Sequence, residues 1–173
     1  MNKFKHTLLL LFIAFAASAQ TITDPVEYND YFVTNQNKIG DELLKLIGMF
    51  DNLPEDKAIV NAQLNKVIAE CDNAIAAVKS IKPIANEFNL RNASMDLFVF
   101  YKSTMSNDYP LMIDELYKPA PDMEKLNAVL LKVQDGEAIV DKEFQEAQQQ
   151  FATFHNIKLE ENELQGEFDG EEE

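Results

Sequence analysis

The chain has 173 residues, with 15 basic against 30 acidic side chains and a formal charge of −15. That balance excludes nucleic acid and anionic lipid surfaces as partners, because both are held through basic patches. The length suits one domain with a sizeable core.

The first element is an export signal. Lys3, Lys5 and His6 give a positive opening, Leu8 to Ala17 is an unbroken apolar stretch, and Ala17-Ser18-Ala19 offers small side chains for a signal peptidase. The apolar stretch is too short to be a transmembrane anchor, which needs about 20 residues. Cleavage after Ala19 leaves 154 of the 173 residues and removes Lys3 and Lys5 but no acid, taking the charge from −15 to −17. The mature start would be Gln20, where a lipid-anchored protein would carry cysteine. The expected product is therefore soluble, periplasmic or secreted, and not a lipoprotein. Cys71, the single cysteine, has no internal disulfide partner and lies in an apolar helical pattern, so it reads as a small buried hydrophobe.

Residues 20–159 read as a helical bundle, because glycine is sparse and apolar residues recur with the 3.6-residue period. The first helix is predicted to open at Asp24-Pro25, a capping side chain followed by proline, and to run to about Asp51. Its inward stripe is Asn29, Phe32, Gln36, Ile39, Leu43, Leu46 and Phe50. Pro54 is predicted to open the second helix, with Val60, Leu64, Val67, Cys71, Ile75 and Val78 inward and an end before Lys82-Pro83. Residues 83–88 fit either a loop or a short helical turn. The third helix is expected from about Asn89 to Lys118, kinked at Pro110. The fourth runs from Asp122 to about Asn156, with Leu126, Leu130, Val133, Glu137, Val140, Phe144, Ala147, Phe151 and Phe154 inward, and Gly136 weakening it locally.

Four such segments joined by short turns predict an all-α, antiparallel up-down-up-down four-helix bundle. The alternative is a three-helix arrangement with one helix broken at Pro110. Residues 160–173, eight of them acidic, have little to bury and are expected to form a disordered tail.

The stretches YNDYFVTNQNKI (28–39) and LRNASMDLFVFYK (90–102), taken with the N-terminal signal, resemble an uncharacterised family of exported bacterial helical-bundle proteins. The resemblance extends over most of the chain after the signal. It implies the bundle fold and brings no activity with it.

Metal and nucleophilic chemistry find few of the side chains they require. Once His6 is cleaved away only His155 remains, which excludes a pair of Glu-x-x-His motifs on two helices. Paired-cysteine zinc sites, HExxH, haem attachment through Cys-x-x-Cys-His and phosphate-cradling glycine loops are absent from the sequence. No cofactor and no metal is therefore expected. His155 reads as a helix-end residue interacting with the last carbonyls.

Two candidate sites remain. Counting about fifteen residues, roughly 22 Å, from the end of the bundle marked by Asn52 places Glu137, Gln36 and Tyr101 or Thr104 at one height. They would form a polar layer across an apolar core, either a network that fixes helix register or a pocket for a cationic or hydroxylated ligand. A third possibility is that Gly136 rotates the helix and Glu137 faces water. The second candidate is the run Leu97 to Tyr101, which points all round its helix, so Val99 and Phe100 are either covered by a loop such as 83–88 or form a partner patch. The expectation is a non-enzymatic exported bundle, a monomer or weak homo-oligomer, binding another exported protein or a small ligand. The alternatives are an enzyme or ligand site built on the Glu137 layer and a periplasmic chaperone-like protein.

Overall fold

The computed structural model of the protein describes residues 21–159. The expected signal peptide (1–19) and acidic tail (160–173) lie outside the described residues. Four helices account for most of what is described: α1 (Pro25–Asp51), α2 (Lys57–Ser80), α3 (Leu90–Leu116) and α4 (Met123–His155). Among the described residues none of the helices is long and apolar enough to cross a membrane.

Local chemistry sets most of the boundaries. The Asp24 carboxylate accepts from the backbone N–H groups of Val26 and Glu27 at 2.8 and 3.1 Å, with Pro25 in the first turn, which supplies partners for donors that the helix itself leaves bare. Asp122 does the same for α4 by accepting from the Lys125 N–H at 3.1 Å. Asn156 closes α4 in the left-handed conformation at φ 53°, a common helix stop. The start of α2 corrects the expectation at Pro54. Asp56 is the capping residue, accepting from the Ala58 N–H at 2.8 Å, and the helix begins at Lys57. Pro54 instead offers its carbonyl to the Tyr117 hydroxyl at 2.5 Å, tying the α1–α2 turn to the end of α3.

α3 is a single helix across Pro110, which removes the broken three-helix alternative. Its start is unusual. Asn86, Phe88 and Asn89 all have positive φ, and Asn89 makes no side-chain cap. Residues 83–88 are thus loop and turn, and a bulky phenylalanine held at φ 48° is a strained conformation.

The helices pack as a bundle around one core, with each consecutive pair in close contact. The α2 stripe is buried as read, Val60 through Val78. In α1, Phe32, Ile39 and Leu46 are buried, with Leu43 and Phe50 packed at the margin. α4 departs from its stripe at two places: Leu130 is 41% exposed and Phe154 is 55% exposed. Phe154 lies outside the core against the loop residue Phe88, with ring centres 5.1 Å apart. Cys71 is fully buried, and burial pushes its thiol up to about 12, as a small hydrophobe's environment would.

Candidate functional site

The seam between α1 and α4 is the one that no loop closes, and the two backbones approach each other less closely than consecutive helices do. At its lower end it is shut by side chains. The Gln148 amide donates to the Asn29 side chain at 2.9 Å, and the Tyr28 and Phe151 rings lie 5.7 Å apart. Tyr28 is fully buried although its neighbour Asn29, not it, was assigned to the inward stripe. The ring is held because its hydroxyl donates to the Glu87 carboxylate of the loop at 2.5 Å.

Midway along the bundle the Tyr101 hydroxyl is acted on by the Glu137 carboxylate of α4, which raises its pKa, and by the Gln36 side chain of α1, which lowers it, so groups of three helices come near one another there. All three side chains are half-buried. Burial raises Glu137 above the ordinary carboxylate range, the Tyr101 hydroxyl works against that shift, and Asp141 one turn on adds to it. Tyr101 is raised by burial first and then by Glu137 and Asp141. Tyr109, two turns further along α3, is pushed up to about 12 by burial and by the Glu137 charge. Thr104 is buried in α3 but stands outside the set of groups that act on Glu137.

Towards the end of α1 and the start of α4 the apolar residues differ in burial. Leu43 and Phe50 are half-buried, Phe50 lying 6.4 Å from the Tyr109 ring. Leu130 and Met123 are exposed, Met123 by 61%. The inward position assigned to Leu130 is therefore corrected. Leu126 and Val133, on the same stretch of α4, are buried, so only part of the predicted stripe there turns to the core.

The run 97–101 has a different fate from the one expected. Leu97 and Phe98 are buried, Tyr101 packs at the core margin, and Phe100 is half-buried. Phe100 packs against α4: a methyl group added at Gly136 would stand 2.6 Å from its ring. Gly136 is thus the place where α4 admits an α3 ring. Val99 alone is left exposed, at 47%, and a single exposed valine is ordinary for a protein surface. In a Phe100→Ala background, Gly136→Ala is expected to stabilise by about 1 kcal/mol from helix propensity. With Phe100 present the displaced ring should cancel that gain. Urea denaturation of the four proteins of this cycle measures the difference, and equal effects in both backgrounds would mean the ring does not use the glycine.

One buried carboxylate escaped the sequence reading. Glu115, near the end of α3, is 2% exposed. It accepts from Lys118 at 2.7 Å, from Lys125 at 3.0 Å and from the Asp122 N–H at 3.2 Å. These donors hold it down to about 2, and they knit the α3–α4 turn. The available signal was a glutamate three residues before Lys118, with Lys125 one turn into the next helix. His155 ends α4, the helix-end place expected of it, and its ring lies 4.5 Å from Phe151 and 5.0 Å from Phe154, with Nε2 buried and unpartnered.

A separate shallow groove of about 450 Å³ runs along α1 between Glu27, Asp30, Tyr31, Thr34, Asn35 and Lys38. It shares no residue with the Glu137 layer. Among the described residues no group of three or more histidine, cysteine, aspartate or glutamate side chains is placed to hold a metal ion. Comparison of the chain with family models, curated proteins and solved structures gives no match.

Proposed function

We propose that this chain is an exported bundle that acts by binding a partner through exposed apolar residues of α4. Export is supported by the charged opening, the apolar stretch and Ala17-Ser18-Ala19. An antiparallel up-down-up-down order is supported by cross-helix partners whose numbers fall on one helix as they rise on the next. Between α2 and α3 these are Lys57 with Asp114, Asp72 with Lys102 and Val78 with Arg91. Between α3 and α4 they are Asp108 with Lys132 and Glu115 with Lys125.

The observation that carries the binding reading is the exposure of Leu130 and Met123. Both lie on a stripe whose continuation, Phe144 and Phe151, is core. A bundle that needed only to fold would place polar residues there.

The test is a comparison of what the exported protein retains from its own compartment as wild type, as Leu130→Asp, and as Ile139→Asp, which alters an exposed α4 position outside the stripe. A partner kept by wild type and Ile139→Asp but reduced about tenfold by Leu130→Asp, a loss of roughly 1.4 kcal/mol, is the expected result. Equal retention by all three overturns the reading. A second reading makes Glu137 an acid–base group, favoured by its raised pKa beside the Tyr101 hydroxyl. It requires turnover that disappears in Glu137→Gln while Leu130→Asp keeps it.

A further inference from the structure

Cleavage after Ala19 would put Gln20 at the start of the chain, followed by Thr21, Ile22 and Thr23 before the Asp24 cap. The fold gives that end something to lose. Ile22 is 9% exposed and belongs to the same core cluster as Tyr28 and Ile81, whereas Thr21 and Thr23 on either side of it are exposed. Ile22 thus anchors the segment that leads into α1. Two residues on, the Asp24 carboxylate accepts from the Val26 and Glu27 N–H groups and opens the helix. Gln20 and Thr21 alone would therefore separate a free chain end from a core side chain.

Chain ends of this kind are where proteolysis concentrates. Trimming of Gln20 and Thr21 would put a charged ammonium on Ile22, and further trimming would withdraw Ile22 from the core. Loss of Asp24 would leave the first N–H groups of α1 without their acceptor.

Glutamine at a chain start carries its own means of closing that end. The neutral α-amine attacks Cδ of the side-chain amide. The N–Cδ bond forms and completes a five-membered lactam, the Cδ–Nε2 bond breaks, and a proton from the amine leaves with Nε2 as ammonia. Nothing is oxidised or reduced, and no co-reactant is consumed. An α-amino group has a pKa of about 7.7–8.0, so its reactive neutral form is present at neutral pH. Closure within one residue also has the advantage of an intramolecular reaction. The product has neither a terminal positive charge nor an α-amine for an aminopeptidase to hold.

We propose that Gln20, freed by cleavage after Ala19, is converted to an N-terminal pyroglutamate that keeps exopeptidases from the Ile22 anchor and the Asp24 cap. This rests on the export reading, because cleavage at that bond is what gives Gln20 a free amine.

The test is the intact mass and the N-terminal fragment spectrum of the exported protein, recorded at harvest and again after storage, followed by exposure to an aminopeptidase. Wild type is compared with Gln20→Asn, whose amide is one methylene shorter and closes only to a strained four-membered ring. The expected wild-type chain begins at residue 20, is lighter by one ammonia already at harvest and resists the peptidase. Gln20→Asn is expected to begin at the same residue, to retain its ammonia and to lose residues from its start, with a lowered melting temperature. An open glutamine at harvest that closes only on storage overturns the inference and leaves the export reading standing, as does cleavage at another bond. A chain that keeps residues 1–19 removes the export reading and the inference with it. If the lactam forms but Gln20→Asn resists the peptidase equally well, the protective role is overturned and the modification alone stands.

Discussion

Phe151→Ala is expected to lower stability by about 3–5 kcal/mol, whereas Phe154→Ala, three positions along the same helix, should cost about 1 kcal/mol or less. The two residues were given the same inward role by their spacing, and their surroundings separate them. Phe151 is fully buried and sits against both Tyr28 and the His155 ring. Its removal leaves a cavity where α1 and α4 are pinned together. Phe154 is more than half exposed and loses chiefly its contact with Phe88. Guanidinium denaturation of the two variants measures both costs. Similar losses would mean that the lower end of the seam is not closed as described.

Acidification should act on stability through two carboxylates with opposite signs. Glu137 is raised by burial, so the folded chain takes up that proton more readily than the unfolded one. Its contribution is fully present below the ordinary value of 4.5 and is lost as pH rises through the raised folded pKa. Glu115 is depressed to about 2 by its lysines and the Asp122 N–H. Its contribution is present above 4.5 and is lost as pH falls toward 2. Stability is thus expected to climb as pH drops from neutral toward 4.5 and then to fall steeply. Relief of general acidic repulsion adds to the climb, which makes the variants decisive. Glu137→Gln should flatten the climb and spare the fall. Glu115→Gln should do the reverse, with lower stability at neutral pH. Thermal melts across the range read both, and unchanged profiles in the two variants would remove the assignment.

What the sequence made legible was whatever depends on a residue and its near neighbours. Asp24-Pro25 and Asp122 cap their helices because the donors they satisfy lie two or three residues away. The α2 stripe is buried throughout because α2 is packed closely by both α1 and α3. Counting residues from the turns was enough to bring Gln36, Tyr101 and Glu137 together, since helical rise is constant. The readings that failed depended on who stands opposite. Leu130 has the period of a core residue but is exposed. Glu115 looks like a surface acid until Lys118 and Lys125 are seen to converge on it. Gly136 looked like a weak point in α4, and its meaning is supplied by the Phe100 ring of another helix.

The loose approach of α1 to α4 has a consequence for how the chain reaches its structure. Every closely packed helix pair, α1 with α2, α2 with α3 and α3 with α4, is consecutive along the polypeptide. Each can therefore form by closing only a short loop. Contacts of the first helix with the last, such as Asn29 with Gln148 and Tyr28 with Phe151, are few beside those between consecutive helices. Such a topology has low contact order and belongs with the fast-folding helical bundles, in which docking of the first and last helices can come late.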